Sequence, residues 1–279
     1  QMRYDTTTCL FDCYIIITEG SATSAAQRAQ FNAQYSIVVP TGSFIEVDTS
    51  YMPLIANQTY TGTIPMTWAL TNHVLAPCDQ PQNDFHSIIP VLSPASFYNN
   101  LATGDTIRLF SLKVSPIPEC ASDIRIFKNG IDPSSSAICF SGADFSCGFT
   151  IGGPAQDYQG NLPQIYPPKP TLDAEVSCGS GIHIDLTAVS SMCQQPLVYQ
   201  WSGPSTNTSN EDINISSTSA AYHGNYTVTV TDAFGCSNTA TFYGENHPNG
   251  GTDKTTCAGG SVVLNGVSPN NGVWQQDTN

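Results

Sequence analysis

The sequence predicts an all-β protein made of tandem sandwiches, and three observations carry that expectation. Short runs of β-branched and aromatic residues recur along the chain, each bounded by Gly, Pro, Asn or Asp. The segment Val176-Ser177-Cys178-Gly179-Ser180-Gly181, followed by Ile182-His183-Ile184-Asp185-Leu186, returns near the end as Thr255-Thr256-Cys257-Ala258-Gly259-Gly260 and Ser261-Val262-Val263-Leu264. Self-similarity at the length of one small β module marks a repeat array. The run Tyr166-Pro167-Pro168-Lys169-Pro170 sets this array apart from what precedes it, because consecutive prolines stiffen a linker and cannot extend a strand ladder. The expected domains are a large jelly-roll-type sandwich over 1–168, a smaller immunoglobulin-like sandwich over 169–245, and the incomplete start of a further module over 246–279.

In the first domain, Tyr14–Thr18, Tyr35–Val39, Ser43–Val47 and Met66–Leu70 read as strands. Thr106–Val114 is the longest run, and its apolar phase shifts: Ile107 and Leu109 share one face, then Phe110, Leu112 and Val114 share the other. A bulge near Leu109 reconciles the halves. Ser93–Gly104 departs from the β pattern, since Ser93 suits a cap, Pro94 the first helical position and Gly104 the end. A short helix is expected there, with Phe97 and Leu101 facing inward. The Ala-rich stretch Ser21–Ala33 offers a second.

In the second domain Ile182, Ile184 and Leu186 alternate with His183, Asp185 and Thr187, and Tyr226, Val228 and Val230 alternate with Thr227, Thr229 and Thr231. Each strand therefore has one apolar face, and two half-buried sheets pack together. Trp201, within the aromatic strand Val198–Gly203, is expected to fill the centre of the sandwich, as the strand C tryptophan of immunoglobulin domains does. Tyr226, just after Gly224, sits where a tyrosine corner forms.

The chain has 279 residues with 22 acidic against 8 basic, a formal charge of −14, although only 11% of its residues are charged. Phosphate contacts need clustered Lys and Arg, so nucleic acid is excluded as a partner, and anionic membranes are disfavoured for the same reason. No run approaches the ~18 apolar residues of a membrane span. Ten cysteines without Cys-x-x-Cys pairs or zinc spacing favour disulfides, hence an oxidising, extracellular compartment. The absence of a charged or apolar leader before Gln1 reads as an exported chain whose signal peptide has been removed.

Cys9, Cys13, Cys78, Cys120, Cys139 and Cys147 fall in the first domain, and six cysteines allow fifteen pairings. The turn residues Gly142 and Asp144 favour Cys139 with Cys147, and proximity favours Cys9 with Cys13. In the second domain Cys178, at an opening strand, is expected to pair with Cys236, after the closing strand. Cys193 then lacks a local partner, and Cys257 repeats Cys178. No bridge is expected to join the first domain to the second, because the Pro-rich linker separates two cores.

The order Cys178, Tyr199-x-Trp201-Ser202, Gly224-x-Tyr226-Thr227-Val228-Thr229-Val230-Thr231-Asp232 and Gly235-Cys236 resembles the PKD-like, immunoglobulin-like repeats of giant surface adhesins and gliding-motility proteins of Bacteroidota. In the first domain, Ser93-Pro94-Ala95-Ser96-Phe97-Tyr98-Asn99-Asn100-Leu101, Leu109-Phe110-Ser111-Leu112, Ile124-Arg125-Ile126-Phe127-Lys128-Asn129-Gly130-Ile131-Asp132-Pro133 and Gly142-Ala143-Asp144-Phe145 are similar to the cohesin-like module that precedes such repeats in secreted proteins of the Saprospira group. The resemblance implies export by the type IX route and display on the cell surface, without naming a ligand. The sorting domain expected at the end of such cargo is absent from the sequence. The resemblance also makes Thr6 and Thr106 O-glycosylation candidates, through Asp5-Thr6 and Asp105-Thr106. Asn57, Asn207, Asn214 and Asn225 open N-x-[ST] sequons.

No G-x-S-x-G elbow, H-E-x-x-H helix, P-loop or G-x-G-x-x-G follows a strand, so no catalytic residue is assigned. Asp84, Asp105, Asp123, Asp132 and Asp144 are the carboxylates from which a glycosidase pair would have to come. Asn129–Asp132 and Gly142–Asp144 offer oxygens to a structural Ca²⁺, the one cofactor considered, although no EF-hand pattern exists. The expected function is that of a non-catalytic extracellular structural or adhesive protein, with further modules or neighbouring copies as partners and a cell-surface or polysaccharide ligand. Two alternatives stand beside it. One is a carbohydrate-binding region stacking sugars on Tyr51, Trp68, Tyr158 or Tyr166, and the other a filament subunit assembled by strand exchange.

Overall fold

The computed structural model describes residues 1–51, 67–91, 98, 100–152, 158–178, 182–204, 206–216 and 219–244. Among them the protein is all-β. The chain divides into two compact units, Gln1–Pro168 with Ser191–Cys193, and Lys169–Ser190 with Gln194–Asn279. The module expected over 246–279 lies outside the described residues.

The first unit contains β1 (Met2–Asp5), β2 (Leu10–Ile16), β3 (Ser21–Ala22), the single turn α1 (Ala25–Arg28), β4 (Gln30–Pro40), β5 (Phe44–Ser50), β6 (Thr67–Leu75), β7 (Asn83–Val91), β8 (Leu101–Ala102), β9 (Thr106–Ser115), β10 (Arg125–Ile126) and β11 (Gly148–Ile151). One antiparallel sheet has the order β1-β2-β9-β5. The other runs β10-β4-β7-β6, with β11 also on β4. Tyr35 of the second sheet meets Phe110 of the first edge-on at 5.4 Å, and Trp68 meets the same ring at 5.0 Å, so the sheets close face to face. The far side of the second sheet is covered too. Phe85 packs there against Phe127, Phe140 and Phe145 of the segment between β9 and β11. This covering layer explains why β7 is buried on both faces from Asp84 to Ile88.

The bulge expected near Leu109 is present. Cys13 pairs with Phe110 and Tyr14 with Arg108, leaving Leu109 without a partner on β2. The extra residue lets Ile107 and Phe110 both reach the core despite their odd separation. The expected helix over Ser93–Gly104 is corrected where it can be seen: Leu101–Ala102 is strand β8, laddered to β3. Asp105 accepts a hydrogen bond from the Ala102 amide at 2.8 Å, so this backbone is committed to a turn and a ladder. Leu101 is nevertheless buried; Phe97 lies outside the described residues. In the Ala-rich stretch the helix is confined to α1, closed by a capping box between Ser24 and Gln27.

The second unit holds β12 (Thr171–Cys178), β13 (Ile182–Val189), β14 (Val198–Gly203), β15 (Thr206–Thr208), β16 (Ile213–Ile215), β17 (Gly224–Thr231) and β18 (Ser237–Gly244). Its sheets are β12-β13-β16 and β15-β14-β17-β18. The alternation read from sequence is realised: Ile182, Ile184, Leu186, Tyr226, Val228 and Val230 are buried around Trp201, which has no exposed surface. The indole N–H donates to the carbonyls of Asn210 and Glu211, each at 3.1 Å. The Tyr226 hydroxyl donates to the Tyr222 carbonyl, as a tyrosine corner requires. Asp232 accepts from the amides of Phe234 and Cys236, both at 2.8 Å, and so fixes the turn into β18.

The disulfides overturn the pairings expected from proximity. Cys139 bonds Cys78 and not Cys147, with Cα atoms 5.7 Å apart. Cys9 bonds Cys193 and not Cys13, with Cα atoms 5.6 Å apart across 184 residues. Cys13 and Cys147 are buried free thiols. The reason lies in side-chain direction. Cys13 points from β2 into the core beside Tyr35, whereas Cys9 lies in the exposed turn before that strand. Cys147 turns inward to the Ser36 backbone, its sulfur 3.4 Å from that amide. Because Cys193 follows the Pro-rich run, the expectation that no bridge spans the linker also fails; Ser191–Cys193 belongs to the first unit. Cys120 and Cys236 are each disulfide-bonded. The side chain of Cys178 and all of Cys257 lie outside the described residues, as does the expected pairing of Cys178 with Cys236.

Candidate functional site

A cavity of about 580 Å³ opens inside the first unit, at the end of the sandwich where β2 runs out and β11 begins. Ile15 and Ile17 form one wall, Phe149 and Ile151 the other, and Leu101 and Leu162 close it. Gly152 makes the closure sterically feasible. Its φ is +80°, its amide donates to the Ala29 carbonyl at 2.8 Å, and a Cβ there would collide with the Gln27 backbone.

The lining is mixed in polarity, with Gln1, Tyr14, Glu19, Gln27 and Asn161 alongside Tyr35, Cys147 and Tyr158. Tyr35 is delivered from β4, Cys147 from just ahead of β11, and Tyr158 from the segment that returns towards the linker. The Tyr35 hydroxyl is buried and finds no nitrogen or oxygen partner; it hydrogen-bonds the Cys13 thiol instead. Burial pushes the Tyr35 phenol well above its ordinary range, and the neighbouring thiols add to the shift. Burial likewise raises the Cys147 thiol to about 11 and the Tyr158 phenol to about 12. All three are therefore neutral hydrogen-bonding groups at neutral pH. Tyr158 is held by a 2.8 Å hydrogen bond to Asn161.

The other candidates are dispersed or already engaged. Asp84 accepts from the Gly42 and Ala76 amides at 2.9 and 2.8 Å. Asp132 receives Arg125 through two contacts of 2.6 and 2.8 Å and the Lys128 amide at 2.6 Å. Asp144 and Asp105 accept from the nearby amides of Ser146 and Ala102, each at 2.8 Å, and Asp123 is exposed. The Asn129 side chain makes two hydrogen bonds with the Cys147 backbone, so in the first of the two loops offered for Ca²⁺ its amide oxygen is already engaged. Among the described residues one cluster has metal-ligand spacing, Cys78, Asp79 and Cys139, and its two sulfurs form a disulfide.

Of the proposed sugar platforms, Trp68 is 4% exposed and belongs to the core. Tyr51 lies under the Arg108 guanidinium, 3.9 Å from its ring centre, in a network on the outer face of the first sheet. There Asp12 accepts from Arg108 at 2.7 Å, Ser111 at 2.6 Å and Tyr14 at 3.1 Å. Tyr166 is exposed. Among the glycosylation candidates, Thr6, Asn207, Asn214 and Asn225 are exposed and Thr106 is half-buried; Asn57 lies outside the described residues. Sequence reasoning read Tyr35 as a strand residue and Cys147 as a bridge half. Their convergence has no local signal, because it depends on strands far apart in the chain.

Comparison with protein-family models, with curated proteins and with solved structures returned no match.

Proposed function

We propose that this chain is a non-catalytic extracellular structural or adhesive protein, in which a cohesin-like first sandwich is carried on immunoglobulin-like, PKD-type modules at a cell surface. The observation that carries the reading is the way its reactive groups are used. Asp84, Asp105, Asp132, Asp144 and Asp232 hold turns and loops by accepting backbone amides, so these carboxylates serve the fold. Disulfides support an oxidising location, and among the described residues no helix is long and apolar enough to cross a membrane. Cross-linked sandwiches withstand mechanical load, and a strongly acidic, hydroxyl-rich chain stays dispersed outside the cell.

Antibody labelling of intact, unpermeabilised source cells tests the placement, and a panel of polysaccharides and peptides tests the absence of turnover. Surface labelling that protease shaving removes, with no product released, is the expected result. A chain confined to the cell interior, or one that turns over a substrate, overturns the reading.

A further inference from the structure

We propose that His73 and His86 bind one divalent transition-metal ion, such as Zn²⁺, between their imidazoles on the inner face of the second sheet. The two residues are direct partners on the antiparallel strands β6 and β7, so their side chains leave the same face. Their ring centres lie 6.1 Å apart with the planes inclined by 32°. An ion held tetrahedrally by one nitrogen of each ring, at about 2.0–2.1 Å, places the ring centres roughly 5 Å apart, so His73 has only about 1 Å to move. It is free to do so. His73 is exposed on the outermost strand of its sheet; its backbone amide is held by Asn72 at 2.9 Å, whereas its ring makes no hydrogen bond among the described residues.

The local backbone builds this meeting. Trp68 and Leu70 pair with Pro90 and Ile88, and a bulge between Leu70 and Asn72 then inserts Thr71. The extra residue puts His73 on the face of Trp68 despite their odd separation, and without it the ring would point to the covering layer.

Two further observations call for a cation there. The Nε2 atom of His86 is buried with no hydrogen-bond partner, in a residue only 9% exposed, whereas buried polar atoms are nearly always satisfied. Asp84, two residues along β7 and so on the same face, is buried as well, and among the described residues neither ion pair involves it. Buried charges are ordinarily paired or bound to metal, and this carboxylate has only the Gly42 and Ala76 amides. An ion at the histidine pair supplies the missing positive charge, with water completing its coordination. Two imidazoles select Zn²⁺, Cu²⁺ or Ni²⁺ over Ca²⁺ and Mg²⁺, which demand oxygen ligands. Such an ion ties the edge strand β6 to β7. The site is independent of the adhesive role proposed above, and either stands if the other fails.

Calorimetric titration of the full chain with ZnCl₂ provides the test. One Zn²⁺ is expected to bind saturably per chain, and CaCl₂ to leave that isotherm unchanged. His73→Gln, at an exposed position that leaves the core intact, should weaken Zn²⁺ binding ~10-fold or more, and His86→Gln should do the same. His183→Gln with His223→Gln should leave the affinity as it is. In the wild-type chain, added Zn²⁺ should shift the ring-proton resonances of His73 and His86 together, before those of the other histidines, and raise the melting temperature. Absence of saturable binding, an affinity unchanged in His73→Gln, or shifts that arise first at His183, His223 or His247 would overturn the assignment.

Discussion

Replacing Trp201 by alanine removes the centre of the second core. The indole is wholly buried among Ile182, Ile184, Leu186, Ile213, Tyr226, Val228 and Val230, and Phe242 packs against it at 6.2 Å. Truncating a buried tryptophan costs about 3–5 kcal/mol through lost burial and the cavity left behind. The indole N–H is shared by the carbonyls of Asn210 and Glu211, and losing it adds about 1 kcal/mol. The sum, roughly 4–6 kcal/mol, is comparable to the whole stability of a sandwich of this size, about 4–10 kcal/mol. Trp201→Ala should therefore unfold or severely loosen the second unit, while the first, whose core is built on Phe110, Tyr35 and Trp68, stays folded. Thermal melting followed by limited proteolysis with mass mapping reads this directly: cleavage should concentrate in 182–231 and spare β2, β4 and β9. Trp201→Phe, which keeps most of the volume, should lose about 1–3 kcal/mol. If Trp201→Ala melts like the wild type and merely weakens binding to a polysaccharide, the core assignment is wrong and Trp201 is a ligand platform.

Native Cys147 should resist iodoacetamide at pH 8 and gain reactivity as pH approaches 11, with Cys13, held higher still by burial, slower throughout. The same shift makes stability fall on the alkaline side. Between about pH 9 and 11 the unfolded thiol ionises while the folded one stays protonated, a loss of about 3 kcal/mol for Cys147 in denaturant titrations. Burial lowers the His86 pKa, against the opposing pull of Asp84 and with a smaller contribution from His73, so the unfolded state takes up a proton first as pH drops below 6.5. Stability should decline through that window, and His86→Gln should flatten the decline. Cys9→Ser with Cys193→Ser should lower the unfolding free energy by up to about 5 kcal/mol, the loop-closure entropy of so long a span, as measured in guanidinium. An unchanged midpoint would show that Ser191–Cys193 is held by packing alone.

The sequence by itself determined which faces are apolar. The alternation of Ile182, Ile184 and Leu186, the placement of Trp201 and Tyr226, and the phase shift at Leu109 all follow from the two-residue period of a strand, which a few neighbouring residues suffice to encode. Strand β7 escaped the same reasoning, because Asp84, His86 and Ser87 break its apolar pattern. Those residues are buried only because a further layer covers the sheet and because Asp84 finds amides both in the turn that leads into β7 and in the distant turn between β4 and β5. The tertiary structure alone decided the disulfide partners and the cavity. Bridging Cys9 to Cys193, or bringing Tyr35, Cys147 and Tyr158 around one space, depends on the closure of chain segments far apart in sequence. Residue spacing carries no record of that closure, since its cost grows only slowly with loop length and many pairings are nearly equivalent until the core selects one.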